Sequence, residues 1–341
     1  MTQKLDTASR IEMPQGKLIA LLSLLLTGLI VTSLFIGSNP IPVLKAISDS
    51  LQNNQSVIAI ILTEVRLPRA LIAALAGATL GMCGAIMQGL LRNPLASPGL
   101  VGSSSGAALG AVFVLYFGFS SLFWPALPLG GMLGSLLALL LVYLLAGRDA
   151  SIVTLILAGV AINSLALAMI SLLLNLAPSP YAVREIVLWM LGSVANHSLD
   201  HLWIMLPGTL LGWLLVLGST RSLDALTLGE ETAYSMGINV ERLRWRLFLA
   251  VALAVGSAVS ITGAIGFVGL VVPHLLRPLV GYMPGRLISV SALGGAVMLL
   301  TADIAVRLFP AGTEIKVGVL TSLVGAPFFL YLILKTRRTQ L

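Results

Sequence analysis

The chain has 341 residues, of which 57% are hydrophobic and only 10% are charged, and its mean hydropathy is +1.01. A soluble domain carries about 25% charged residues, so this composition excludes a water-soluble globular protein and predicts membrane-spanning helices; the long unbroken apolar runs also exclude a transmembrane β-barrel, whose strands alternate apolar and polar positions. The net charge of +7 comes from basic residues scattered between apolar segments, which indicates topology signals and not a nucleic-acid-binding surface.

The chain begins with a polar stretch, 1–16, which predicts a short tail and not a cleaved signal peptide. Apolar segments bounded by charged residues then predict one transmembrane domain over 17–335 with ten helices, followed by a second tail over 336–341. The predicted spans are 17–37, 67–91, 99–117, 124–146, 151–175, 202–219, 245–264, 267–281, 287–308 and 317–335.

Ten crossings place both termini on one side of the membrane, and the basic residues choose the side. If the termini are cytoplasmic, six of the 20 lysines and arginines lie outside and the other 14 lie inside, as the positive-inside rule requires. The six are Lys45, Arg66, Arg69, Arg184, Arg307 and Lys316. Arg66 and Arg69 flank a proline at the start of the second span. Glu64, Asp303, lipid phosphates and a partner protein are the candidate partners of these two arginines.

Glycines at four-residue spacing recur in the second, third and fourth spans. Such spacing lets helices approach closely, because lipid supplies no hydrophobic drive for helix association. We therefore expect close helix crossings at these pairs: Gly77 and Gly81, Gly106 and Gly110, Gly130 and Gly134.

The longest polar interruption on the inner side is 220–246. Gly229 separates two helix-forming stretches and Gly237 ends the second one, so this segment predicts two short helices at the cytoplasmic face. A loop of this length either binds a partner or is simply solvated. The chain has no G-x-x-x-x-G-K-[ST] motif to hold ATP phosphates.

Few ionisable residues lie within the predicted spans. Asp303 and Arg307 are four residues apart on one helical face, which indicates either an ion pair that steadies the helix end or a functional site. His197 and His201 have the spacing of a metal or haem ligand pair, but no cysteine or carboxylate completes a set. We expect no metal site, no cofactor and no catalytic group in this chain.

The stretch "RLPRALIAALAGATLGMCGAIMQGLLRNPLASPGLVGSSSGA" (66–107) closely resembles the second and third spans of the FecCD-type permeases, the membrane subunits of ABC importers for iron–siderophores, haem and vitamin B12. Further segments resemble the same family in order: "LILAGVAIN" (155–163), "LGEETAYSMGI" (228–238), "GAIGFVGLVVPHLLR" (263–277), "ADIAVR" (302–307) and "VGVLTSLVGAPFFLYLILK" (317–335). The resemblance implies an all-α, polytopic, vitamin-B12-permease-like bundle of ten helices in the bacterial cytoplasmic (inner) membrane.

The resemblance also implies partners and sites. The expected partners are two copies of an ATP-binding subunit, an extracytoplasmic substrate-binding protein and a second permease subunit forming a homodimer; no nucleic acid is expected. By similarity to the family, Arg66, Arg69 and Arg307 receive glutamates of the binding protein. Coupling helices at about 220–241, with Gly229, Glu230, Glu231 and Gly237, contact the ATPase, and the cytoplasmic gate comprises Asn93, Leu95, Ile152 and Val153.

The function implied by the resemblance is ATP-driven import of a ferric chelate, either a siderophore or haem, by alternating access. Three alternatives remain open: a vitamin B12 permease of the same family, an ion-coupled secondary transporter, and an energy-independent membrane scaffold.

Overall fold

The computed structural model of the chain describes residues 12–37, 41–52, 54, 56–147, 150–309 and 315–339. All regular structure in these residues is helical. The helices are α1 (Gln15–Phe35), α2 (Val43–Leu51), α3 (Val57–Ile60), α4 (Leu67–Leu90), α5 (Ser103–Tyr116), α6 (Phe119–Leu122), α7 (Ala126–Ala146), α8 (Ile152–Asn175), α9 (Pro180–Met190), α10 (Leu199–Val216), α11 (Thr220–Leu226), α12 (Glu230–Ser235), α13 (Val240–Thr262), α14 (Val268–Leu276), α15 (Pro284–Leu308) and α16 (Val317–Thr339). Most of the predicted N-terminal tail lies outside the described residues, and α16 continues through position 339.

Ten apolar helices account for the ten predicted spans. Seven are long enough to cross a membrane: α1, the joined helix Val57–Leu90, α7, α8, α10, α13 and α15. Three are shorter: Ser103–Tyr116, Val268–Val280 and Val317–Leu332. Each predicted span coincides with one of these helices, so the all-α polytopic fold is confirmed.

The joined helix Val57–Leu90 contains a π-helical segment, Ile61–Arg66, between α3 and α4. Its 34 residues correspond to about 51 Å at 1.5 Å per residue, whereas the hydrocarbon core of a bilayer is about 30 Å thick. One end must therefore project from the membrane, and the segment that carries Glu64 and Arg66 is the polar end.

The centre of the bundle consists of α4, α13 and α15. We compared the most apolar 18-residue window of each helix. The buried share of that window is 78% in the joined helix that contains α4, 78% in α13 and 61% in α15, but only 17% in α1. Helices α1, α7, α8 and α10 lie around this centre and direct large apolar side chains outward, for example Leu24, Leu133 and Leu157. The hydrophobic residues are therefore arranged for lipid on the outside and for close packing within.

The predicted glycine pairs mark close helix crossings. Gly106 and Gly110 of α5 face Gly134 and Gly130 of α7, and a Cβ atom at Gly110 or at Gly134 would overlap a backbone carbonyl of the other helix. Only glycine permits this approach.

The crossing of α4 and α15 follows the same principle. Gly77 lies against Gly295, and Gly81 lies against the carbonyl of Ser291. These contacts fix the position of α4 relative to α15, and so of the polar residues that the two helices carry at their outer ends.

The eighth span is short, as expected from its prolines. Residues 263–267 form no helix, and α14 begins after Phe267, whose φ is +67°. Pro273 lies within α14, and a 3₁₀ turn, Arg277–Val280, follows it, because proline cannot donate an amide hydrogen bond to continue a regular helix.

Candidate functional site

The first candidate site is the outer arginine cluster, which we define as Arg66, Arg69, Arg307 and Asp303. Arg66 ends the π-helical segment, Arg69 lies in the first turn of α4, and Arg307 lies in the last turn of α15. A π-helical turn is rare and is frequently found at functional sites. Sequence analysis grouped the three arginines by family resemblance, and the fold brings them together.

Asp303 is the centre of the outer arginine cluster and has no solvent exposure. Its Oδ1 accepts a hydrogen bond from Arg69 Nε at 2.9 Å and lies 2.8 Å from Arg69 Nη2. Its Oδ2 lies 2.9 Å from Arg307 Nη2. The predicted ion pair of Asp303 and Arg307 is therefore present, and Arg69 extends it into a triad that links α4 to α15.

Two arginines of the cluster also cap the C-terminus of α1. Arg66 Nη1 donates to the carbonyls of Leu34 at 2.6 Å and Phe35 at 3.1 Å. Arg307 Nη1 donates to the carbonyl of Ile36 at 2.7 Å. The last carbonyls of a helix lack partners within it and carry partial negative charge, so cationic groups stabilise this end of α1.

The outer arginine cluster is largely buried within the single chain. The side chains of Arg69 and Arg307 are 13% and 6% exposed, and Arg66 is 4% exposed. Arg69 is thus the member most accessible from outside.

The second candidate site is the coupling elbow, residues 220–237, in which α11 and α12 form the two predicted short helices. Gly229 (φ +109°) precedes α12 and Gly237 (φ +79°) follows it, backbone conformations that glycine adopts at little cost. The two predicted glutamates point differently. Glu230 lies 3.2 Å from Arg244 Nη2 and 3.6 Å from Arg92 Nη2, whereas Glu231 is exposed.

Arg244 anchors the coupling elbow to the bundle. It is buried, and its Nη1 donates to the carbonyl of Ala150, before α8, at 2.8 Å. Beyond this anchor, Leu228, Tyr234 and Met236 are 66%, 55% and 60% exposed. Apolar residues clustered on a polar loop are typical of a protein contact surface.

The third candidate site comprises the predicted gate residues. Asn93 Oδ1 accepts a hydrogen bond from the amide of Leu95 at 2.9 Å and so fixes the turn after α4. Ile152 and Val153 begin α8, and Val153 is 65% exposed. Beyond Leu95, the 3₁₀ turn Pro98–Val101 packs against α8, where Gly159 meets the carbonyl of Leu100.

His197 and His201 make hydrogen bonds to residues close to them in the chain. His201 Nδ1 lies 3.2 Å from the amide of Ser198 and 3.0 Å from its hydroxyl, which completes a capping box at the start of α10. Burial, followed by the proximity of His201, lowers the pKa of His197 to about 4. The described residues contain no group of three or more metal-ligating side chains.

Sequence analysis missed one polar pair inside the bundle. Gln88 of α4 is 2% exposed, and its Oε1 accepts a hydrogen bond from Arg277 Nη2 at 2.6 Å. Its Nε2 donates to the carbonyl of Leu270 at 3.2 Å. A glutamine in an otherwise apolar helix was the available signal.

Comparison with known proteins identifies a single family. The model of the FecCD transport family matches residues 24–335. The hemin transport system permease protein HmuU of Yersinia pestis is 41% identical over 81% of this chain and 84% of its own length. The vitamin B12 import system permease protein BtuC of Vibrio cholerae is 42% identical over 80% and 82%, and the Fe(3+) dicitrate permease FecD of Escherichia coli is 36% identical over 94% and 99%.

A solved structure gives the same result for the fold. It is described as an inward-facing conformation of a metal-chelate type ABC transporter, and it superposes with a TM-score of 0.82 at 34% identity. The match covers 94% of this chain and all of the other.

Proposed function

The chain belongs to the FecCD transport family, and from that premise we propose that it carries a ferric chelate, a ferrisiderophore or haem, across the membrane by alternating access. Membership makes it a multi-pass permease subunit of an ABC importer, of the kind found in the bacterial inner membrane. The observation that favours an iron chelate is the match to a ferric dicitrate permease over 94% of this chain and 99% of that permease, and a hemin permease is 41% identical.

Vitamin B12 is the second candidate cargo, because a B12 permease is 42% identical over a similar share of the chain. Uptake by the complete transporter, assayed with hemin, a panel of ferrisiderophores and cobalamin, separates the two. We expect saturable uptake of an iron chelate and none of cobalamin; the reverse result would replace our proposal with the B12 alternative.

We place the substrate-binding protein on the outer arginine cluster. Carboxylates of that protein would pair with Arg69 first, because it is the most exposed member, and Arg66 and Arg307 would add positive potential behind it. Arginine–carboxylate pairs are strong and directional, and complementary charge speeds association.

We place the two ATP-binding subunits against the coupling elbow. Glu231 and the exposed apolar side chains Leu228, Tyr234 and Met236 form the contact surface. Glu230, held by Arg244, transmits movement of the elbow to the start of α8 through the carbonyl of Ala150. ATP hydrolysis belongs to those subunits, and the permease contributes no catalytic group.

We place the cytoplasmic gate at Asn93, Leu95, Ile152 and Val153, between two copies of the permease in a homodimer. The likeness to an inward-facing transporter supports one of the two states that alternating access needs. Because Ile152 and Val153 begin the helix next to Ala150, a displaced coupling elbow would move the gate directly. Direction then arises from different cargo affinities in the two states.

A further inference from the structure

A cavity lies at the cytoplasmic end of the bundle, where α4 ends, α11 ends and the chain turns from α14 into α15. We call it the inner cavity; its volume is about 240 Å³. It is lined by Gln88, Gly89, Arg92, Thr227, Arg277, Tyr282, Pro284 and Leu287. Two of these residues are arginines and none is acidic, so the inner cavity has the charge of an anion site.

Arg277 is fixed in the wall of the inner cavity by a neutral partner. Its Nη2 donates to the amide oxygen of Gln88 at 2.6 Å, and the buried Gln88 is itself held by the carbonyl of Leu270. Among the described residues, no carboxylate lies within 4.0 Å of Arg277. A partly buried charge costs free energy unless it is paired, and a preorganised guanidinium with no internal counter-ion is suited to an external anion.

Arg92 is the second cation of the inner cavity, and its pairing is weak. Its φ is +49°, an uncommon value for a residue with a side chain. Its partner Glu230 is 3.6 Å away and lies closer to Arg244, at 3.2 Å. The carboxylate of Asp224 accepts the amide hydrogen of Gly285 at 2.7 Å. These two acids are therefore engaged elsewhere, and a third, the exposed Glu12, lies beside Gly281 outside the lining of the inner cavity.

The donors around the inner cavity fit a phosphate group. Two guanidinium groups bind phosphate through paired hydrogen bonds, and the Tyr282 hydroxyl is a further donor. The N-terminus of the long helix α15 is already capped by the Asp224 carboxylate through the Gly285 amide, so the positive charge of the site comes from the two guanidinium groups. Basic pockets between helices on the cytoplasmic side are also where anionic lipid headgroups bind.

We propose that the inner cavity binds a phosphate group, carried by an anionic lipid of the inner leaflet or by a small soluble phosphate. The bound group joins α4 and the turn before α15 to the end of α11, at Thr227 of the coupling elbow. It thereby stabilises one position of the elbow relative to the bundle.

The test uses the purified transporter in neutral detergent. Native mass spectrometry during titration with phosphatidylglycerol or phosphatidylcholine measures lipid binding, and thermal unfolding with added inorganic phosphate measures the soluble anion. We expect preferential binding of phosphatidylglycerol, a rise in unfolding temperature with phosphate, or both. Arg277→Gln should weaken the effect by about tenfold, since a charged hydrogen-bond donor is lost.

Arg286→Gln is the matched control, because Arg286 is an exposed arginine of the same face that does not line the inner cavity. Arg92→Gln is the second variant should Arg277→Gln not fold. Equal binding by the parent and both cavity variants, or an equal loss in Arg286→Gln, would overturn the proposal. The cavity variants could instead lose the ATP-binding subunit while they bind lipid and phosphate as the parent does. That result would assign these arginines to a protein contact and would also overturn the proposal.

Discussion

At the residue scale, the outer arginine cluster shows how one buried carboxylate organises several cations. Asp303 is fully buried and pairs with Arg69 and Arg307, while Arg66 and Arg307 satisfy the last carbonyls of α1. Removing one partner of a buried pair costs about 3–5 kcal/mol, because the other charge remains. The cluster therefore has a structural role in joining α1, α4 and α15, and any function in docking is added to that role.

The docking role is tested by a variant that keeps most of the cluster. Arg69→Gln should weaken capture of the substrate-binding protein and reduce its dependence on salt, because the most accessible cation is lost. Surface plasmon resonance at several ionic strengths measures both effects. Arg184→Gln, an exposed outer arginine on α9, is the control. If Arg69→Gln lowers only the unfolding temperature and leaves capture unchanged, the residue is structural alone.

His197 provides a prediction of pH dependence. Its folded-state pKa is about 4 and the unfolded value is about 6.5, so the unfolded chain binds the proton more readily. The contribution of His197 to the free energy of unfolding is complete above pH 6.5. It declines as the pH falls towards 4, by up to about 3 kcal/mol. His197→Gln should therefore flatten the pH profile of the unfolding temperature in this range; an unchanged profile would contradict this account.

At the element scale, the irregular helices and the close helix crossings can each be traced to particular residues. The π-helical segment places Arg66 on the end of α1, prolines shorten α14, and paired glycines set the distance between α5 and α7. The coupling elbow exposes the apolar side chains of Leu228, Tyr234 and Met236, whereas its anchor Arg244 is buried.

The glycine crossing predicts a strong effect of one methyl group. Gly81→Ala would push a Cβ atom into the Ser291 carbonyl of α15, and such overpacking costs about 1–3 kcal/mol. Thermal unfolding in detergent measures the loss. Gly28→Ala is the matched control in α1, where nothing lies within 4 Å of the added carbon, so equal losses for the two variants would contradict the close-approach explanation.

The coupling elbow predicts different effects for its two glutamates. Glu231→Lys should reduce copurification of the ATP-binding subunit by about tenfold without lowering the unfolding temperature, because Glu231 is exposed and reversing its charge removes charge complementarity from the proposed contact surface. Glu230→Gln should lower the unfolding temperature, since Glu230 is the acidic partner of the buried Arg244 in the part of the chain that the structure describes. The charge reversal Glu185→Lys on α9 is the control for the first variant. Full copurification by Glu231→Lys would remove this residue from the proposed interface.

At the scale of the whole molecule, the bundle has a buried, closely packed centre and a cluster of charged residues at each end. Liposomes that contain the permease without an ATP-binding subunit should show no accumulation of hemin or ferrisiderophore, whereas the complete transporter with ATP and binding protein should accumulate its cargo. Radiolabelled iron retained in the vesicles measures this. Accumulation by the permease alone, driven by a proton or sodium gradient, would instead support the ion-coupled alternative.

The sequence by itself determined the fold class, the positions of the ten apolar helices and the two short helices of the coupling elbow. It could do so because hydrophobic length and charge placement are local properties that the bilayer selects directly. The close glycine crossings were also predictable, since four-residue spacing places glycines on one helical face.

Only the tertiary structure decided which polar groups of different helices meet. Arg69 pairs with Asp303 across 234 positions, and Arg277 reaches Gln88 across 189; no periodicity in the chain indicates such contacts. The opposite orientations of Glu230 and Glu231, and the burial of Arg66 on the end of α1, likewise depend on how the helices pack. Pairing of charges is a property of three-dimensional proximity, and one chain's sequence encodes it only through the fold.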